Sequence, residues 1–194
     1  YKRQDIESAN FLSDLNVPAY KIASGDLRST PLLKHVASFG KPMIISTGGA
    51  SLAQIQHAYD TIMPINKQLC ILQCTAEYPA LFDELDLGVI TNFRKQFADA
   101  VIGFTGHDNG IAMAVVAFVL GARVVEKHFT LNRAMKGTDH VFSLEPVGMR
   151  KMTRDLERTR LSLGDGRKTV FASESAPVVK MGKKLVAARN ITAG

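Results

Sequence analysis

The feature that most constrains this chain is a regular alternation of short β-type runs with stretches of helical period. Residues 19–24 (AYKIAS), 42–47 (PMIIST), 69–75 (LCILQCT), 101–105 (VIGFT) and 124–130 (VVEKHFT) are largely apolar and end on polar side chains. Between them, residues 30–39, 51–63, 85–97 and 109–121 carry apolar side chains at helical spacing, such as Leu32, Leu33 and Val36, or Leu52, Ile55, Tyr59 and Ile62. The punctuation agrees: Thr30 and Ser51 suit N-caps, Pro31 suits the first helical position, and Gly40 and Gly121 suit C-caps.

Apolar strands that are each followed by a helix imply a parallel sheet covered by helices. Two architectures satisfy this, a doubly wound sheet and a closed (β/α)8 barrel. Five runs do not close such a barrel, so the barrel reading predicts about three further βα units ahead of Tyr1. No run ends in a dinucleotide-type glycine fingerprint, and every run has polar groups at its C-terminal end: Ser24, then Ser46 and Thr47, Thr75 and Tyr78, Thr105 and His107, and His128. A doubly wound site uses a few strand ends near the switch point, whereas a barrel gathers all of them on one rim. The predicted fold is therefore α/β, the C-terminal portion of a TIM barrel with about five βα units.

A loop through residue 144 leads to a predicted helix over residues 146–163, where Val147, Met152, Leu156 and Leu163 form an incomplete apolar stripe beside Arg150, Lys151, Arg154, Glu157 and Arg158. Gly164, Gly166 and the Ser173–Pro177 stretch have turn and linker chemistry. The predicted division is a partial barrel over residues 1–164, a linker over 165–177, and the opening of a small β-rich domain over 178–194, with strand-like material at 184–188. The chain opens on Tyr1 rather than Met and stops at Gly194, where that strand-like stretch reaches a turn, so it is expected to be a piece of a longer protein.

Composition removes several classes of function. A hydrophobic content of 46% supports a packed core. The net charge of +6 and pI near 9.4 raise the question of nucleic acid, but Lys and Arg are spread along the chain and the aromatics form no stacking pattern. The excess suits small anionic substrates instead. Cys70 and Cys74 would share one strand face and read as buried free thiols in a reducing compartment. No apolar run approaches a membrane span, and a cytoplasmic protein without membrane contact is expected.

Among the strand-end residues, His107 and His128 follow adjacent runs, and neighbouring strands lie about 5 Å apart, so two imidazoles there can share a divalent ion with positions left open for substrate. The same spacing is equally met by two histidines that each hydrogen-bond a neighbour. Asp139 either binds a ligand hydroxyl or caps its turn. Lys21, inside an apolar strand, needs an anionic partner, which a phosphate or carboxylate ligand would supply. Ser24 with Gly25, and Ser46 with the glycines that follow it, offer hydroxyl and N–H donors for oxyanions.

Taken in order, KIASGD at residues 21–26, ISTG at 45–48, QCTAEYP at 73–79, GFTGH at 103–107, EKHFTL at 126–131, KGTDH at 136–140 and SLEP at 143–146 resemble the successive strand-end motifs of the sialic acid synthase family. The resemblance runs from about residue 9 to 164 and implies condensation of phosphoenolpyruvate with N-acetylmannosamine or its 6-phosphate, giving a nine-carbon 2-keto sugar acid and phosphate. It implies that His107 and His128 hold Mn2+ or Mg2+, and that Lys21, Ser24 and Ser46 hold phosphoenolpyruvate. Tyr78, Glu126 and Asp139 would contact the amino sugar, with Thr105 also binding substrate, and Lys21, Glu126 and Asp139 would form the catalytic set. Asp26 departs from the Glu of many relatives, Gly106 from an Asp and Ala76 from a polar residue, which leaves the sugar-side contacts open and leans toward the animal-type enzymes and the 6-phosphate. Residues 178–194 resemble the opening of the family's antifreeze-like (SAF) domain, whose members pair as domain-swapped homodimers. As it stands the chain is expected to be inactive. Other readings are a legionaminic or pseudaminic acid synthase, or a non-catalytic carbohydrate-binding or coat-biosynthesis protein on the same barrel.

Overall fold

The computed structural model describes residues 5–193. Tyr1 to Gln4 and Gly194, which bound the predicted first and last segments, lie outside the described residues. The chain divides into two compact units, with the break after Arg160.

In the first unit, β1 (Tyr20–Ile22), β2 (Met43–Ser46), β3 (Leu69–Cys74), β4 (Val101–Gly106) and β5 (Val124–Lys127) fall inside or within one residue of the runs read from sequence. All pair in parallel, in the order β1-β2-β3-β4-β5. That order separates the two architectures. Right-handed crossovers in an unbroken sequential order put every helix on one face, and the sheet curls with its other face inward. The result is a half-barrel.

The helices are α1 (Ile6–Asp14), α2 (Thr30–Ser38), α3 (Leu52–Ile62), α4 (Gly88–Gln96), α5 (Ala112–Leu120) and α6 (Pro146–Ser162). The period of two along each strand sorts the side chains. Tyr20, Ile22, Met43, Ile45, Leu69, Ile71, Ile102 and Phe104 pack with Leu33, Val36, Ala58, Ile62, Ile90 and Phe97 of the helix layer in the main core. The alternate positions face the lumen in tiers: Lys21, Ile44, Cys70 and Val101; then Ser46, Leu72, Gly103 and Val124; then Cys74, Thr105 and Glu126. Polar groups occupy the tier nearest the strands' C-terminal ends.

Ser51 caps α3 in a full capping box with Gln54, and Gly121 ends α5 in the left-handed conformation at φ 114. Thr30 is not a cap: it is the first residue of α2, Ser29 precedes it, and its hydroxyl lies 3.1 Å from His57 Nε2. The stretch at 85–97 becomes helical only from Gly88, because a 3-10 turn at Phe82–Glu84 and Asp86 at φ 39 hold the backbone out of the helical region first. Helix α1 was not anticipated. It starts on Asp5, whose carboxylate accepts the Ser8 N–H at 2.8 Å. Met152 of α6 is buried with Ala114 and Leu144, with Met149, Leu156 and Val125 packed around them, while Val147 stays exposed.

Both cysteines are free and buried, as expected for strand thiols. No helix among the described residues is long and apolar enough to cross a membrane. In the second unit, helix α7 (Ser175–Met181) crosses the boundary drawn between linker and following domain. Pro177 sits in its first turn, where its missing N–H costs nothing. Residues 184–188 are not a strand, since a strand is completed by a hydrogen-bonded neighbour and these residues have none among the described residues.

Candidate active site at the strand ends

Lys21, Ser24, Ser46, Tyr78, Thr105, His107, Glu126, His128 and Asp139 all line one cavity of about 350 Å³, together with Ala23, Gly25 and Cys74. These nine candidates thus reach the same place, whereas Thr47 and Thr75, also at strand ends, do not line it. Strand register explains it, because each strand delivers its last lumen-facing side chain to the same rim.

One wall is basic and hydroxylic. Lys21 Nζ stands 3.4 Å from Glu126 Oε1, which also accepts the Thr105 hydroxyl at 2.7 Å. The anion that Lys21 requires is therefore supplied by the chain itself, across the lumen from β1 to β5. Ser24 Oγ accepts the Gly48 N–H at 2.9 Å. A Cβ on Gly48 would lie 2.9 Å from each of Ser24 Oγ, Cys74 Sγ and Ala76 Cβ, so only glycine permits this close approach. Ser46 is 3% exposed, and its Oγ has no hydrogen-bond partner among the described residues. A buried hydroxyl left in that state is available to a ligand oxygen.

A second cluster in the lining is aromatic and holds the imidazoles. His107 Nδ1 lies 2.7 Å from the Thr75 carbonyl, which can only accept, so Nδ1 carries the proton and Nε2 keeps its lone pair. Burial lowers the pKa of His107 against the opposing pull of that carbonyl, and the neighbouring His128 and Lys127 charges lower it further. The ring is accordingly neutral at neutral pH. Tyr78 stacks on it at 4.0 Å between centroids, and burial raises the Tyr78 phenol. His128 stands 5.2 Å from His107, centroid to centroid, and Phe142 lies 4.9 Å from His128. Asp139 Oδ2 is 3.6 Å from His128 Nδ1, within ion-pair reach, while its Oδ1 accepts the Thr138 hydroxyl at 2.8 Å. Asp139 thus lines the cavity with its carboxylate shared between His128 and Thr138.

The loop over residues 131–143 brings Asp139 and Phe142 back to the rim. Leu144 N–H donates to the His128 carbonyl at 2.8 Å, and Thr130 N–H donates to the Leu144 carbonyl at 2.9 Å, which closes the loop beside β5. Inside it, Arg133 Nε donates to the Val141 carbonyl at 2.7 Å and Nη2 to Asn109 Oδ1 at 3.1 Å.

Two imidazoles, one of them held neutral by burial, with open space beside them match the chemistry of a divalent ion that also takes water or substrate oxygens. Among the described residues no group of three or more His, Cys, Asp or Glu side chains is arranged to hold an ion without such added ligands. Sequence reading missed Phe142, Cys74 and the Thr75 carbonyl. A backbone carbonyl leaves no mark in a sequence, whereas Phe142 sat visibly between the KGTDH and SLEP motifs. Gly106, counted among the uncertain sugar-side positions, points away from the cavity, toward Asp108 and the Phe104 ring.

Comparison with known proteins agrees with this geometry. The chain is 40% identical over 190 residues to the N-acetylneuraminate-9-phosphate synthase of Mus musculus, covering 98% of this chain and 53% of that protein. It is 35% identical over 193 residues to the N,N'-diacetyllegionaminic acid synthase of Campylobacter jejuni, covering 98% of this chain and 58% of that protein. The crystal structure of an N-acetylneuraminic acid (sialic acid) synthetase from Leptospira borgpetersenii superposes with a TM-score of 0.82 at 31% identity, covering 91% of this chain and 62% of that one. The chain spans about half the length of the curated relatives it matches. The sequence model of the NeuB family matches residues 4–168, and the chain belongs to that family.

Proposed function

We propose that this chain carries the site of a sialic acid synthase-type enzyme that joins phosphoenolpyruvate to N-acetylmannosamine or its 6-phosphate, giving a nine-carbon 2-keto sugar acid and inorganic phosphate. The observation that carries the reading is the one cavity whose lining gathers an ammonium, two serine hydroxyls, two imidazoles, a phenol and two carboxylates. A bisubstrate condensation needs donors for an anion and groups that activate a carbonyl in one place. Lys21, Ser24 and Ser46 would hold the phosphate and carboxylate of phosphoenolpyruvate, the unpartnered Ser46 hydroxyl donating to an anionic oxygen. Tyr78, Glu126 and Asp139 would hold the amino sugar, with Thr105 fixing Glu126 through its hydroxyl.

His107 and His128 would bind Mn2+ or Mg2+, which supplies Lewis-acid polarisation of the open-chain aldehyde. The enol phosphate is a weak nucleophile at C3, so the chain's own contribution is to hold that carbon against the aldehyde carbon with water excluded. Water then adds at C2 and the C–O bond to phosphate breaks. Glu126 and Asp139 are the carboxylates available to move protons in that addition, and Lys21 balances the departing phosphate. Residues 178–194 would open an antifreeze-like domain, and the full-length protein would pair as a domain-swapped homodimer in the cytoplasm.

The test is phosphate release by the full-length protein from phosphoenolpyruvate with Mn2+ and a panel of sugars: N-acetylmannosamine, its 6-phosphate, and the legionaminic and pseudaminic acid precursors. One sugar is expected to support turnover, and that sugar names the product. If none does, the synthase reading fails and a non-catalytic carbohydrate-binding role replaces it. His107→Ala and His128→Ala are expected to lose Mn2+ binding and turnover together; retention of both would remove the metal assignment.

A further inference from the structure

The matched register of β4 and β5 ends at Gly106 and Lys127, so His107 and His128 each stand one residue past the last pair. Strand alternation turns the next side chains away from the lumen, and Asp108 and Lys127 meet there. Lys127 Nζ donates to the Asp108 backbone carbonyl at 2.6 Å and to its carboxylate Oδ1 at 2.9 Å, and both side chains are 1% exposed. One lysine thus grips the main chain beside His107 from the residue beside His128. Gly106 makes the room: a Cβ there would lie 2.5 Å from Asp108 Oδ1 and 2.7 Å from the Phe104 ring.

A buried ion pair is a weak means of stabilising a fold, because well-packed apolar replacements often do as well; its best-attested use is to fix register between elements. The second oxygen sharpens that point. Asp108 Oδ2 is buried with no hydrogen-bond partner among the described residues, an arrangement that a purely stabilising design would avoid. The other face of the His107 segment is held from the segment that follows β3, by the Thr75 carbonyl on Nδ1 and by Ala80 N–H on the His107 carbonyl at 3.2 Å. His128 is held from the far side by Leu144 N–H. Of these contacts, the Asp108–Lys127 pair is the one that joins the two imidazole-bearing segments to each other.

We propose that Asp108 and Lys127 are positioning residues, a buried clamp outside the lumen that sets the spacing of His107 and His128 for a shared ligand. The ligand in question rests on the metal reading given above; the clamp itself does not.

The experiment compares full-length protein with its Lys127→Met variant, using hydrogen exchange without metal and Mn2+ titration by calorimetry. Exchange is expected to rise about tenfold in the peptides covering residues 104–110 and 125–131, with the other strands unchanged. Mn2+ affinity is expected to fall 10- to 100-fold, the usual penalty for losing a partner that orients metal ligands. An unchanged exchange pattern, a rise spread over all five strands, or a Mn2+ affinity within twofold of the parent overturns the proposal. Should the parent protein bind no Mn2+, the metal reading falls while the exchange data still decide the clamp. Asp108→Asn, which keeps the shape and removes the charge, is measured in the same way; if neither variant folds, the pair serves the fold and the positioning role is overturned.

Discussion

Cys70 faces the lumen two tiers below the rim, and burial pushes its thiol up to about 12, with the Lys21 charge pulling down and the Glu126 charge pushing up by less. Burial raises Cys74 as well. An unfolded chain releases the same proton near the ordinary thiol value of 9.0. Below that pH both states hold the proton and the thiol adds no pH dependence; between it and about 12 the folded chain alone stays protonated, so stability falls by about 1.4 kcal/mol for each pH unit. Urea midpoints measured from pH 8 to 11 are expected to drop more steeply for the parent than for Cys70→Ala, with parallel curves below pH 9. Equal slopes above pH 9 would show the thiol to be solvated. At this scale the sequence was a good guide to side chains and a poor one to their partners. Lys21 was legible as a lysine needing an anion, but the chain itself offers Glu126, four strands further on in β5. Asp108 and Lys127 carry no mark of their pairing in the sequence, because burial of an ion pair depends on layers that no local pattern reports.

The strands were read accurately because each is a short apolar run with its polar residue at the end that matters, and parallel burial on both faces leaves little ambiguity. Helix starts were less legible: a positive φ at Asp86 and the 3-10 turn before it delayed α4, a choice of the backbone made by tertiary packing rather than by propensity. The loop over residues 131–143 had turn chemistry but no period, so its path back to the rim lay beyond sequence reading. Its shape depends on Arg133, which spans Asn109 and the Val141 carbonyl from within, and on Glu145, whose carboxylate accepts the Arg133 N–H at 2.9 Å. Arg133→Ala removes the first two ties and leaves the third. On the proposed function, the expected result in the full-length protein is a rise of roughly tenfold in KM for the sugar, since the loop presents Asp139, with KM for phosphoenolpyruvate unchanged because Lys21, Ser24 and Ser46 stand on other elements. Steady-state kinetics with each substrate varied in turn checks it, and an equal rise in both KM values would mean that the loop shapes the whole cavity.

The whole first unit is a sheet covered on one face. Its helix-facing residues Met43, Ile45, Ile71 and Phe104 are fully buried, yet Val101, in the lumen tier with Lys21 and Cys70, is 47% exposed. β1 and β5 each have a single neighbour, so two strand edges also stand open among the described residues. Exposed apolar side chains on a sheet face and unpaired edges are the features through which sheets associate. The 194-residue chain on its own is therefore expected to self-associate as its concentration rises and to bind a hydrophobic dye such as anilinonaphthalene sulfonate, which sedimentation velocity and fluorescence would show. Val101→Lys, placing a charge on the lumen face, is expected to reduce both. Val119→Lys, on α5 where the side chain is already 53% exposed, is the control and is expected to change neither. The comparison isolates the face: equal effects from the two lysines would attribute association to net charge, and a chain that stays monomeric without binding dye would mean that its lumen closes on itself.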